Sequence, residues 1–88
     1  MLCSYKERMV TMRILLVEDE IRLAEALEAI LKKQGYIVDV AYDGADGQDM
    51  GETAIYDVII LDRNLPSVEG VEILKHLRKE GITTPIIC

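Results

Sequence analysis

Residues 14–20 read Ile-Leu-Leu-Val-Glu-Asp-Glu, a short apolar run that ends in three acids. Four consecutive apolar residues are typical of a strand that is buried on both faces, as strands of parallel sheets are. A second run of this kind, Val58-Ile59-Ile60-Leu61, is followed directly by Asp62. We therefore expect two buried strands, each with acidic side chains at its carboxyl end.

Helical patterns separate these strands. In residues 20–34 the apolar side chains recur at helical spacing and form one stripe, made up of Leu23, Ala24, Leu27, Ile30 and Leu31. Residues 67–80 repeat the pattern, and here we expect Val71, Leu74 and Leu77 to face inward. Each segment is followed by a glycine, a common residue just after the end of a helix.

The remaining segments complete an alternation of strands and helices. We predict a second strand at residues 36–41, a helix at residues 44–53 and a fourth strand from residue 84. The helix at 44–53 is the weakest, because its three glycines each cost about 1 kcal/mol relative to alanine. This order predicts an α/β protein with a parallel sheet and right-handed crossovers. Residues 1–12 have no sustained periodicity and are predicted to form a tail before one domain at residues 13–88.

Composition narrows the range of functions. Sixteen acids against ten bases give a net charge of −6, which disfavours nucleic-acid binding by this segment and suits a cation or a basic partner. No segment has the roughly 20 apolar residues of a membrane span. Cys3 and Cys88 lack ligand or CxxC spacing, so we expect free thiols in a reducing, cytoplasmic setting.

The acids at the strand ends are the strongest functional signal. If the first and third strands are neighbours, three or four carboxylates from Glu18-Asp19-Glu20 and Asp62 meet at one sheet edge, where ligand sites of such sheets lie. Carboxylates this close repel one another, and a divalent cation removes the conflict. Hard oxygen ligands favour Mg²⁺. A carboxylate at this place can also attack a phosphoryl group and form an acyl phosphate, and Asp62 is our candidate.

Each of these residues, taken singly, also has an ordinary structural interpretation. Asp19 could cap the first helix. Glu18 and Glu20 could be acids that favour the positive end of the helix dipole. Asp62 could be a turn residue. The only histidine, His76, falls off the apolar stripe of its helix and is predicted to be solvated.

Two stretches carry a family resemblance. Arg13-Ile-Leu-Leu-Val-Glu-Asp-Glu20 and Asp62-Arg-Asn-Leu-Pro-Ser-Val-Glu-Gly70 resemble the signature stretches of response-regulator receiver domains, most closely those of the winged-helix transcription-factor class. The resemblance covers residues 13–88. It implies a flavodoxin-like fold with strand order 2-1-3-4-5. This chain would supply strands 1–4 and helices 1–3 of that fold.

The resemblance also implies roles for single residues. Asp62 would accept a phosphoryl group from a sensor histidine kinase. Asp19 would bind Mg²⁺ directly, Glu18 directly or through water, and Asn64 through its backbone carbonyl. Pro66 and Gly70 would shape the adjoining loop. The protein would be a signalling module rather than an enzyme, and it would regulate a DNA-binding domain that lies outside this chain.

The family also has a Thr or Ser after strand four, a Lys after strand five and a dimer face in the same region. No residues follow Cys88 to supply them. We therefore expect a domain truncated at its C-terminus, with an exposed edge strand that favours self-association.

Three other hypotheses remain open. The first is a phosphatase with an aspartyl nucleophile, although Asn64 stands where such enzymes usually have a second acid. The second is a nucleotide- or flavin-binding domain, although Glu18-Asp19-Glu20 would repel phosphates where that class has glycines. The third is a receiver-like interaction domain that takes no phosphoryl group.

Overall fold

A computed structural model of the chain describes residues 11–62 and 67–88. The predicted alternation of strands and helices is confirmed. The elements in chain order are β1 (Arg13–Val17), α1 (Ile21–Lys33), β2 (Ile37–Ala41), α2 (Gly44–Gly51), β3 (Val58–Leu61), α3 (Ser67–Lys79) and β4 (Ile86–Ile87). Most of the predicted tail, together with Asn64 and Pro66, lies outside the described residues.

The four strands form one parallel sheet in the order β2-β1-β3-β4. Val17, the last residue of β1, is in register with Ala41 at the end of β2 and with Leu61 at the end of β3. The carboxyl ends of three neighbouring strands therefore stop at the same level. The residues that follow them are brought to one edge of the sheet, as the sequence predicted.

The main core lies between one face of the sheet and helices α2 and α3. Its buried members come from the three longer strands, from the turn before β3 and from α3, and they are Leu15, Val17, Ala41, Tyr56, Ile59, Leu61, Ile73 and Leu77. The prediction for α3 was partly wrong. Val71 is 46% exposed, Leu74 is half-buried, and Ile73 is buried beside Leu77. Ile73 and Leu77, four residues apart, define the inward stripe, so the helix is rotated from the orientation that we predicted.

Helix α2 forms in spite of its glycines because the helix lies very close to its neighbours. A Cβ atom added at Gly47 would lie 2.9 Å from both γ-carbons of Val17, and one added at Gly51 would lie 3.2 Å from Cδ1 of Leu77. Asp43 caps the helix, since its Oδ1 accepts a hydrogen bond from the Asp46 amide at 2.8 Å. Packing therefore supplies the stability that the composition of α2 lacks.

Helix α1 lies against β1 and β2 on the opposite face of the sheet. Of its predicted apolar stripe, Ala24 is buried, whereas Leu23 and Ile30 are 37% and 57% exposed. The apolar stripe of α1 is therefore wider than the part of the helix that the sheet covers. Within the described ranges, no helix is both long enough and apolar enough to cross a membrane.

A polar network closes the opposite, amino-terminal edge of the sheet. The Tyr56 hydroxyl donates to Oδ2 of Asp39 at 2.7 Å, and Arg13 Nη2 lies 3.9 Å from the same oxygen. The Arg13 amide donates to Oδ2 of Asp57 at 2.7 Å. Burial of Tyr56, followed by its hydrogen bond to Asp39 and the charge there, raises the pKa of the tyrosine to about 12. This network ties β1, β2 and the start of β3 together.

The raised pKa of Tyr56 predicts a loss of stability at high pH. An unfolded tyrosine ionises near pH 10, whereas in the folded chain Tyr56 keeps its proton to about pH 12. The contribution of Tyr56 to the free energy of unfolding is therefore fully present below pH 10. It falls by on the order of 2 kcal/mol between pH 10 and pH 12. Urea unfolding across the window should show this loss for the wild type and not for Tyr56→Phe. Tyr42→Phe, at an exposed tyrosine, is the control. A difference in the free energy of unfolding between wild type and Tyr56→Phe that stays constant across this pH range would contradict the prediction.

Candidate functional site

The site lies at the carboxyl-terminal edge of the sheet, where Glu18 follows β1 and Asp62 follows β3. The Glu18 amide donates to the carbonyl oxygen of Ala41, and the Asp62 amide donates to that of Val17, each at 2.9 Å. These bonds continue the hydrogen-bonding ladders one residue beyond each strand. The sheet itself therefore holds the backbone of both acidic residues in place.

Three carboxylates meet at this edge. One oxygen from each of Glu18, Asp19 and Asp62 lies within 4.8 Å of the other two. Glu18 is buried, with 2% of its surface exposed, whereas Asp62 is half-buried and Asp19 is exposed. The structure thus brings together three of the predicted site residues. The fourth, Asn64, lies outside the described residues, and the carboxylate of Glu20 does not belong to this group.

The environment of Glu18 disfavours its charged form. Burial is the largest cause of its raised pKa, and a hydrogen bond and the charge of Asp62, with the charge of Asp19, raise it further. The Glu20 amide, which donates to Oε2 of Glu18 at 3.0 Å, acts in the opposite direction. Carboxylates this close repel one another, and a cation bound at this edge would relieve the repulsion.

The carboxylate of Asp62 has one oxygen whose hydrogen-bonding capacity is not satisfied within the described residues. Its Oδ2 atom is buried and has no hydrogen-bond partner among the described residues. A buried acceptor without a partner costs about 1–3 kcal/mol, and more when it is charged. The residues therefore fit a hard divalent cation such as Mg²⁺, which prefers oxygen ligands and would satisfy this atom.

The structure bears on the ordinary structural interpretations of the single acids to different extents. Asp19 does not cap α1, because the N-cap residue is Glu20 and no side chain makes a capping hydrogen bond there. Helix α1 has no acid within its first turn, but Glu20 is its N-cap residue, so the interpretation of Glu18 and Glu20 as acids at the helix start stays open. The Asp62 amide continues the sheet ladder, and the turn that would follow it lies outside the described residues. Glu18, Asp19 and Asp62 share one feature, the group of carboxylates at this sheet edge.

One polar contact was not predicted from the sequence. His76 was expected to be solvated, yet its ring is half-buried, and Nε2 contacts the Glu52 carboxylate just beyond the end of α2. The sequence could not predict this partner because the two residues are 24 positions apart and no local pattern links them. Only the packing of α2 against α3 brings them together.

Comparison with known proteins identifies the family. The model of the response regulator receiver domain family matches residues 14–88. The chain is 49% identical over 76 residues to the transcriptional regulatory protein DltR of Streptococcus agalactiae, and this match covers 86% of the chain and 34% of DltR. It is 42% identical over 76 residues to the cell cycle transcriptional regulator CtrA of Caulobacter vibrioides, covering 86% of the chain and 33% of CtrA. The chain thus spans about a third of the length of these relatives.

Solved structures agree with the sequence matches. The receiver domain of the Francisella response regulator 1452 superposes with a TM-score of 0.78 at 32% identity, over 86% of this chain and 63% of that one. The response regulator TrrA of Thermotoga maritima, solved in complex with Mg²⁺-BeF, superposes with a TM-score of 0.70 at 34% identity, over 80% and 61% of the two chains. The flavodoxin-like fold expected from the sequence is confirmed, and the chain belongs to the response regulator receiver domain family.

Proposed function

We propose that this chain takes a phosphoryl group onto the carboxylate of Asp62, with Mg²⁺ held by Glu18, Asp19 and Asp62. The observation that carries the proposal is the group of three carboxylate oxygens within 4.8 Å, together with the buried Oδ2 of Asp62 that has no partner among the described residues. Membership in the receiver family supports it. So does the Mg²⁺-BeF complex of the similar protein TrrA.

The residues of the chain have separate tasks in this proposal. Mg²⁺ bound at the site would neutralise charge on the transferring phosphoryl group, which is most of what phosphoryl transfer requires. Glu18 and Asp19 would hold the cation, and the backbone carbonyl of Asn64, outside the described residues, is proposed as a further ligand. The ladder bond from the Asp62 amide to Val17 keeps the nucleophile aligned with these ligands.

The proposed donor is a phosphohistidine of a sensor kinase. An Asp62 carboxylate oxygen bonds to phosphorus while the bond from phosphorus to the histidine nitrogen breaks. The departing imidazole keeps that electron pair and takes up a proton. The product is an aspartyl phosphate that the chain stores as a signal, so this module is not a turnover enzyme. A cytoplasmic location and a DNA-binding output domain in a longer protein belong to the same proposal, since the similar proteins DltR and CtrA are transcriptional regulators.

The test is phosphoryl uptake by the 88-residue chain. The protein is incubated with a small acyl-phosphate donor, with Mg²⁺ or with a chelator, and its intact mass is measured. We expect one phosphoryl adduct per chain with Mg²⁺ and none with the chelator. Absence of the adduct in both arms would contradict the proposal for this chain. Steady release of inorganic phosphate from phosphomonoesters would favour a phosphatase instead.

Replacing Glu18 by Gln is expected to have opposite effects on stability and on metal binding. Burial and the nearby acids raise the pKa of Glu18, so its ionised form opposes folding once the pH is above its unfolded value of 4.5. The metal-free variant should therefore be more stable than wild type at neutral pH and should lose this advantage as the pH falls towards 4.5. Affinity for Mg²⁺ should fall about tenfold or more, because even indirect metal contacts are worth 10–100-fold.

Thermal unfolding at several pH values and calorimetric titration with Mg²⁺ measure the two effects. Glu20→Gln is the matched control, since Glu20 is exposed and its carboxylate lies outside the group. It should change neither quantity appreciably. A parallel loss of stability and affinity in Glu18→Gln would contradict the prediction.

A further inference from the structure

The contact between His76 and Glu52 lies at the other side of the molecule from the proposed phosphoryl site, and the proposed function does not use it. His76 is on α3, and Glu52 is the C-cap residue of α2. The imidazole Nε2 meets Oε1 of the glutamate, and each side chain is about one-third exposed. The pair therefore joins two neighbouring helices and remains accessible to protons from water.

The pair acts beside an apolar contact between the same two helices. Gly51 and Leu77 are the chain neighbours of Glu52 and His76, and a Cβ atom added at Gly51 would lie 3.2 Å from Cδ1 of Leu77. The Glu52 amide also donates to the carbonyl oxygen of Gln48 at 3.0 Å, within the last turn of α2. Loss of the polar contact would therefore loosen the last turn of α2 directly.

Helix α2 has a low intrinsic helix propensity. Three of its eight residues are glycine, and each costs about 1 kcal/mol relative to alanine. Segments whose order depends on a few packing contacts open locally well below the free energy of global unfolding. The opening of α2 is thus sensitive to each contact that holds it against α3.

Protonation changes what the pair can contribute. An imidazolium forms an ion pair with the carboxylate, whereas a neutral imidazole can only donate a hydrogen bond, and imidazoles in proteins change charge between about pH 5 and 8. Other charged side chains lie within one helical turn of both residues. Glu72 and Glu80 lie one turn on either side of His76, Asp49 lies one turn before Glu52, and Lys79 is the one base at a facing position on α3.

We propose that the His76–Glu52 pair is a proton-sensitive link that fastens the end of α2 to α3. Protonation of His76 strengthens the link and slows the opening of α2, and deprotonation weakens it. This regulation of a helix is independent of phosphoryl transfer at Asp62, because it needs neither the metal nor the phosphoryl group.

Hydrogen exchange of the full 88-residue chain tests the link. Exchange rates of the α2 amides are compared between wild type and Glu52→Gln at about pH 5.5 and about pH 8.5, so that the intrinsic pH dependence cancels in the ratio. We expect the variant to exchange about two- to fivefold faster at the lower pH, the range that exposed ion pairs produce, and nearly as fast as wild type at the higher pH.

Three further variants make the result specific. Asp49→Asn removes the same charge one turn earlier on α2 and should not show the pH-dependent acceleration. His76→Gln should match Glu52→Gln, and the double variant should exchange no faster than either single one. An equal ratio at both pH values, or an effect of Glu52→Gln that persists in the His76→Gln background, would overturn the proposal.

Discussion

A chain with Asp62 replaced by Asn is expected to form no phosphoryl adduct under conditions in which the wild type is fully labelled by an acyl-phosphate donor and Mg²⁺. The amide has nearly the same shape as the carboxylate but is not a nucleophile for phosphorus. It also removes one of the three carboxylates proposed to hold the cation. Both effects act in the same direction, so intact-mass measurement should show a complete loss.

The position of Asp62 makes this loss interpretable. The hydrogen bond from its amide to the Val17 carbonyl does not involve the side chain, so the variant should keep the fold. Circular dichroism and thermal unfolding check that point. Asp49→Asn, an equivalent substitution at an exposed position on α2, should be labelled like wild type. An adduct that survives in Asp62→Asn would place the acceptor elsewhere, with Asp19 as the next residue to replace.

Replacing Leu77 by Ala is expected to lower the free energy of unfolding by about 2–5 kcal/mol, the range measured for buried leucines. Leu77 is fully buried, belongs to the main core and packs against α2 at Gly51. The total free energy of unfolding of a native protein is only about 5–15 kcal/mol. The variant should therefore show a much lower urea midpoint by circular dichroism.

Val71→Ala is the matched comparison for Leu77→Ala. Val71 lies on the same helix, and the apolar pattern placed both residues on the inward face, yet Val71 is 46% exposed. A substitution at an exposed position usually changes the free energy of unfolding by no more than about 0.5 kcal/mol. Similar losses for the two variants would show that α3 is rotated towards the orientation expected from the sequence.

The features that could be predicted from the sequence are those that local patterns encode. The apolar runs at residues 14–17 and 58–61 are typical of central strands of a parallel sheet, and β1 is buried throughout its run, whereas Val58 and Ile60 of β3 are half-buried. Once those strands are neighbours, their common direction puts Glu18 and Asp62 at one edge. The acidic group therefore follows from sequence and topology together.

The features that escaped prediction depend on contacts between distant residues. The Tyr56–Asp39 hydrogen bond and the His76–Glu52 pair join residues 17 and 24 positions apart, and neither has a local signature. The rotation of α3 was also missed, because its apolar residues allow two overlapping stripes. The choice between them was made by the surface that α2 and the sheet present to α3, on which Ile73 and Leu77 both pack.

The order of the strands has a consequence for folding kinetics. Strand β1 pairs with β3 across 44 residues of sequence, and Glu18 and Asp19 approach Asp62 only when that pairing is complete. Pairings between distant segments form slowly and late. A cation held by all three carboxylates can bind only to chains that have already passed this step. It would slow the unfolding of the native chain and leave the rate of folding almost unchanged.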